Sequence, residues 1–310
     1  MEPRALIYGT IAIDTLITPH GQVSSVLGGS GPYAALAARL ITPQAELIGV
    51  VGEDFPAAYT AAMEARGVSM AQVARVPGRT FAWTGRYEAD MNRRSTVETV
   101  EGVQEHWQMQ LSEEQRRCAI ACACNVTPRL QLAMLRQCTA ARFRMADFME
   151  SWILRERPQV DTILGMADMA LMNDSEVRAY TGCEDVLVAG ERLLAAGPRY
   201  AVVKHGSAGA TLLHRCENGE RRLFRCPAWP LAPAQDPTGA GDAFMGALAG
   251  CLCACLNGGS PRWEDLKSAM AVATVVAGAV CEHFGTIGLF SLSRAELERR
   301  LARFHDMTCW

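Results

Sequence analysis

Short apolar runs alternate along the chain with longer segments in which apolar residues return every three or four positions. "ALIYGTIAID" (5–14) predicts a buried strand, and "GPYAALAARL" (31–40) the helix after it. "AELIGVVG" (45–52) predicts a second strand, followed by a helix in "DFPAAYTAAMEARG" (54–67) with Gly67 as its C-terminal cap. "CAIACACNV", "FRMADFM", "MALMN" and "YAVVKHG" repeat the buried-strand pattern further on. Strands that are apolar throughout, separated by helices, predict an α/β fold: a mainly parallel central sheet covered on both faces. "RTFAWTGRYEADMNRRSTVETV" (79–100) departs from this by alternating apolar and polar residues, as a half-exposed antiparallel strand does. With "VSMAQVARV" (68–76) it predicts a small sheet beside the main body. No linker, repeat or low-complexity tract divides the chain, so residues 1–310 read as a single domain.

Composition narrows the functional classes. The chain has 310 residues, 49% of them hydrophobic, which is enough for a large core. Thirty basic residues against thirty-three acidic ones argue against nucleic acid or an anionic membrane surface as the main partner. The start of the chain lacks a basic region followed by a long apolar stretch, and no apolar run is long enough to span a bilayer, so the expected location is the cytoplasm. The twelve cysteines include no CxxC pair and read as small buried thiols.

The chemistry concentrates in "AQDPTGAGDAFMGALAG" (234–250). Gly239 and Gly241 let backbone N–H groups approach a ligand closely, and a helix beginning near Asp242 adds unpaired amides and the positive end of its dipole. Together these make an anion site suited to phosphate. A carboxylate beside bound phosphate makes sense as a base that takes a proton from an attacking hydroxyl. Helix capping by Asp242 is the competing reading, and spacing alone leaves both open.

"DPTGAGDAF" closely resembles the C-terminal signature of the PfkB (ribokinase-like) family of carbohydrate kinases. The resemblance implies a three-layer α/β/α fold with a small β lid, formed here by parts of 14–30 and 68–100. It assigns Asp242 as catalytic base and Gly239, Ala240 and Gly241 as the anion hole. "GGSGPYAALAARL" resembles the family's substrate loop, with Gly28 and Gly29 as its glycine pair, and Asp14 matches the acid that binds sugar hydroxyls. "LMNDSEV" fits the Asn-x-x-Glu motif at Asn173 and Glu176, placed near magnesium and phosphates, and "VVKHGSAGA" resembles the nucleotide-side turn with Lys204, Gly206 and Gly209. Asp236 and Thr238 resemble half of a monovalent-cation site for K⁺, completed by backbone near Gly285. Tyr33 stands where ribokinase-like sequences often carry a sugar-binding Asn; it either turns into the helix–sheet core or faces the substrate, and a substrate-facing phenol implies that ribose is not the preferred substrate.

The resulting expectation is an ATP- and Mg²⁺-dependent kinase acting on a hydroxyl of a small sugar-like molecule, with a homodimer built through the exposed lid face. A nucleoside kinase of the same fold is the alternative. Two other classes are a dehydrogenase and a catalytically silent binding module. "GSGPYA" (29–34) satisfies GxGxxA, but residues 15 to 27 separate it from a strand ending near Asp14, which argues against NAD. The presence of Asp242 argues against the silent module.

Overall fold

Successive residues of the apolar strands go to opposite cores. Ala5, Ile7, Leu47, Ile120 and Cys122 face one, while Leu6, Tyr8, Ile48, Ala121 and Ala123 face the other. A computed structural model describes residues 4–89, 91, 93–216, 218–231, 234–256 and 259–308. Residues 1–3, where any leader would begin, and Cys309 lie outside the described residues. Within them no helix is long and apolar enough to cross a membrane.

The strands are β1 (Ala5–Tyr8), β2 (Ala12–Thr18), β3 (Gly21–Gly28), β4 (Ala45–Gly52), β5 (Val73–Val76), β6 (Phe81–Tyr87) and β7 (Arg94–Val100), then β8 (Ile120–Ala123), β9 (Phe143–Asp147), β10 (Met169–Asn173), β11 (Tyr200–Lys204), β12 (Ala210–Arg215) and β13 (Arg221–Cys226). Nine form one sheet in the order β13-β12-β11-β10-β9-β8-β1-β4-β5. Its seven strands from β11 to β5 are parallel, and β12 and β13 turn back antiparallel at one edge. The helices Ser30–Ile41, Ala240–Cys255 and Trp263–Cys281 cover one face, and Pro128–Gln137, Arg157–Met166 and Val186–Ala195 the other. This is the expected three-layer α/β fold.

The lid is a separate four-stranded sheet, β3-β2-β6-β7. Three expectations are corrected here. "ALIYGTIAID" is two strands, because the chain leaves the central sheet at Gly9, where Ser30, Gly31 and Cys124 press so close that a Cβ has no room, and enters the lid at Ala12. The 79–100 stretch is a hairpin of two strands, β6 and β7. Val73–Val76 belongs to the main sheet rather than the lid: it pairs in parallel with Gly49–Gly52, which completes an edge that would otherwise expose β4.

Candidate active site

The carboxyl ends of the parallel strands meet the first turn of helix Ala240–Cys255 beneath the lid. Gly239 caps that helix in the left-handed conformation, φ 78°, and a Cβ there would overlap the Tyr33 ring. Only glycine satisfies both demands, and the following amides are left free to face a ligand. Asp242 occupies the first turn. Burial raises its pKa to about 6; Asp147 pushes the same way, while Lys204 and Arg94 oppose.

Lys204 ends β11, and its Nζ donates to Asp147 Oδ1 at 2.7 Å. A Cβ on Gly241 would lie 3.2 Å from the same Nζ, so the ammonium group sits against the Gly241 backbone. Burial alone would lower the Lys204 pKa, but Asp147, Glu176 and Asp242 reverse the sign, and the net shift is upward. Its predicted place beside the nucleotide phosphates is compatible with this position. Gly206 and Gly209 form the turn after β11 with φ of 55° and 92°, and His205 N–H closes that turn on Gly209 O at 2.7 Å.

Asn173 and Glu176 form a reciprocal capping box on helix Asp174–Thr181. Asn173 Oδ1 accepts from Glu176 N–H at 2.9 Å, and Glu176 Oε2 accepts from Asn173 N–H at 2.7 Å. Glu176 is therefore buried and held by the helix start, not an exposed first-turn acid. Burial raises its pKa to about 7, with Lys204 opposing and Asp147 reinforcing.

Asp14, on lid strand β2, is 4% exposed. A Cβ on Gly28 would overlap its carboxylate, and one on Gly29, at φ 85°, would overlap Thr10 O, which accounts for the glycine pair. Burial raises the Asp14 pKa to about 7; the Gly29 and Trp83 amides oppose this, and the charges of Asp236 and Asp242 add to it. Asp14 Oδ1 has no hydrogen-bond partner among the described residues. A buried carboxylate oxygen without a partner suits an incoming hydroxyl.

Asp236 and Gly285 are brought together as expected. Asp236 accepts from Thr238 N–H at 3.0 Å and from Gly285 N–H at 2.9 Å, and Thr238 Oγ1 donates to the Tyr87 hydroxyl oxygen at 3.0 Å. Both Asp236 carboxylate oxygens thus already hold amides, so a cation there would rely mainly on backbone carbonyls. Tyr33 takes the core alternative. It is 1% exposed and packs beneath Gly239 within the core, because the glycine leaves a flat surface that the ring fills. Its ring supports the Gly239 turn from below.

Two further site residues carry no motif. Asp147 ends β9 at 4% exposure; an acid closing a buried apolar strand is the signal that could have revealed it. Arg94, exposed at the cleft mouth on β7, hydrogen-bonds Tyr87. Crowding by the cleft lowers its pKa, but Tyr87, Glu176 and Asp242 offset this and the net shift is upward. An arginine in a polar, exposed strand has no such signal. Among the described residues no three His, Cys, Asp or Glu side chains enclose an ion. Asp147, Glu176 and Asp242 outnumber Lys204 and Arg94, a balance that fits Mg²⁺ carried by phosphates and waters better than a protein cage. Strand β3 does lead directly into the helix behind "GSGPYA", but it is an antiparallel lid strand, not the central parallel strand of a dinucleotide fold.

This is a ribokinase-like α/β fold, with the glycine-rich helix start and the lid carboxylate facing one cleft. The pfkB family carbohydrate kinase model matches residues 5–291, and the chain belongs to that family. It is 29% identical over 249 residues to a cytidine kinase of Thermococcus kodakarensis, covering 78% of this chain and 86% of that protein. An adenosine kinase of Schizophyllum commune is 25% identical over 286 residues, covering 82% and 79%. The fold superposes on a Burkholderia thailandensis nucleoside kinase in complex with inosine at a TM-score of 0.80, with 22% identity and 99% of each chain covered. It superposes on an Arabidopsis thaliana ribokinase complexed with ribose and ATP at 0.76, with 21% identity and 97% and 99% covered.

Proposed function

We propose that the protein is an ATP-dependent kinase that phosphorylates a hydroxyl of a small sugar or nucleoside, with Asp242 as general base. The observation that carries this is the setting of Asp242: a carboxylate in the first turn behind Gly239–Gly241, drawn toward a neutral pKa and flanked by Lys204. A base with a pKa near the working pH accepts a proton most effectively. In the reaction, Asp242 takes the proton of the acceptor hydroxyl while that oxygen attacks the γ-phosphorus. The bond from phosphorus to the β-bridging oxygen breaks, and ADP leaves. The amides of Gly239, Ala240 and Gly241 bear the charge that grows on the transferred phosphoryl oxygens, and Lys204 adds a fixed positive charge beside them. Asp14 holds a second acceptor hydroxyl and so orients the first. Mg²⁺ bound with ATP, held by Glu176 and Asp147 through waters, would neutralise phosphate charge. Asn173, Gly206 and Gly209 shape the nucleotide side, and Asp236 and Thr238 belong to a K⁺ loop that stiffens the anion hole.

The names of the two curated relatives favour a nucleoside over a simple sugar as acceptor. An ADP-release assay over a panel of nucleosides, ribose and hexoses tests the reading. A nucleoside should give the highest kcat/KM. Turnover of a free sugar alone would reverse the acceptor assignment, and no ADP release with any member would reject the kinase reading.

A further inference from the structure

The cleft-facing side of the lid carries an aromatic plate with no role in the mechanism above. Along β6, Trp83, Gly85 and Tyr87 share one face, and Trp83 lies directly across from Asp14 of β2, so that face looks into the cleft. Arg94 of β7 is paired across from Tyr87 on the same face. Gly85 carries no side chain, and the six-membered ring of Trp83 covers it so closely that any Cβ there would overlap the indole. The indole N–H donates to Thr96 Oγ1 at 3.1 Å. Glycine beneath and threonine at the edge therefore fix the plane of the ring. The guanidinium carbon of Arg94 stands 5.7 Å from the ring centroid, within range of a cation–π attraction. Arg94 is also acted on by the charges of Glu176 and Asp242 across the cleft.

We propose that Trp83 is a positioning residue: its indole, seated on Gly85 and pinned by Thr96, is the shelf that aims Arg94 at the phosphoryl end of the cleft. This rests on the kinase reading, in which Arg94 meets the charge of the transferred phosphoryl group. A long arginine on an exposed strand has many rotamers, and holding it over a flat ring removes that freedom before substrate arrives. The shelf explains why a glycine interrupts a strand that otherwise favours bulky residues: a side chain at 85 would lift the ring. The geometry also separates two functions of one strand, since Tyr87 secures Thr238 of the loop while Trp83 secures the cation.

The test is a double-mutant cycle on the full chain, read as kcat and KM with Mg-ATP and the best acceptor of the panel. Trp83→Leu should lower kcat roughly two- to fivefold, the scale of a cation–π contact at an exposed site, with both KM values nearly unchanged. Trp83→Phe, which keeps an aromatic face, should recover most of that loss. In an Arg94→Ala background, Trp83→Leu should cost almost nothing further. Thr96→Val, an exposed change that only frees the indole edge, should lower kcat in the same direction and covers the case in which Trp83→Leu fails to fold. Equal losses from Trp83→Leu with and without Arg94, or a Trp83→Phe as slow as Trp83→Leu, would overturn the shelf alone. An Arg94→Ala enzyme at full rate would instead remove Arg94 from the phosphoryl contact, and the shelf with it.

Discussion

Lys204 and Asp147 form a buried ion pair at 2.7 Å, with side chains 15% and 5% exposed, at the point where β11 and β9 end beside the Gly239–Gly241 turn. Removing the ammonium group leaves two carboxylates facing each other without the charge that separates them. Lys204→Met should therefore raise the proton affinity of Asp242, which Lys204 now holds down. The acid limb of the kcat/KM profile should move to higher pH by about one unit, the usual effect of losing a close opposite charge. An unmoved limb would mean that Lys204 does not act on the base.

Asp242→Asn keeps the shape and the helix cap while removing the proton acceptor. Turnover should fall roughly 10²- to 10⁴-fold with ATP affinity nearly intact, as measured by steady-state kinetics and thermal shift with Mg-ATP. In the unaltered enzyme, activity should fall as pH drops through about 6, because a protonated Asp242 accepts nothing. A role in capping alone predicts near-normal turnover, because Asn caps as well as Asp.

Asp14 makes the opposite contribution to stability. Its folded pKa of about 7 lies above the unfolded value, so the folded state binds the proton more tightly. That stabilisation is complete at acid pH below the unfolded pKa and is lost as pH rises to about 7. Beyond that the fold carries a buried charge. Asp14→Asn, neutral throughout, should match the unaltered Tm near pH 4 and exceed it increasingly up to pH 7, by roughly 1 °C or more per pH unit. The advantage should then level off. A Tm difference independent of pH would contradict the raised pKa. Acceptor KM should rise in the same variant.

Gly239→Ala meets both a left-handed backbone and the Tyr33 ring. The backbone alone should cost about 1–3 kcal/mol, visible in urea unfolding. The displaced amides should raise the KM for ATP more than that of the acceptor. A normal KM for ATP in the folded variant would argue that these amides do not hold phosphate.

The central sheet was legible because its strands are apolar on both faces, and a strand buried on both sides leaves that mark whatever its neighbours are. The lid was less legible. Val73–Val76 and Phe81–Tyr87 are similar in local composition, and only pairing decides that the first extends β4 while the second joins β2. Asp242, Lys204 and the capping box could be read from motifs because each depends on short-range spacing. The position of Tyr33 could not, because its burial depends on Gly239, some two hundred residues away. Arg94 was hidden for a related reason: Tyr87 is its hairpin partner, but Glu176 and Asp242 come from distant parts of the chain.

The path of the chain around Gly9 has a mechanical consequence. Strand β1 passes through Gly9 into β2, β3 returns into helix Ser30–Ile41, β6 follows β5 of the main sheet and β7 runs back to 102–105, so the lid is tied to the body at four strand ends. Asp14 travels with the lid, whereas Asp242 is anchored in a helix packed along Ser30–Ile41. On the proposed reading, a swing of the lid would change where the acceptor is gripped without disturbing where its proton is taken. On the same reading the two carboxylates work as a jaw and an anvil, and the width of the gap between them is set where the four lid strands join the body, at 9–11, 29, 77–80 and 101.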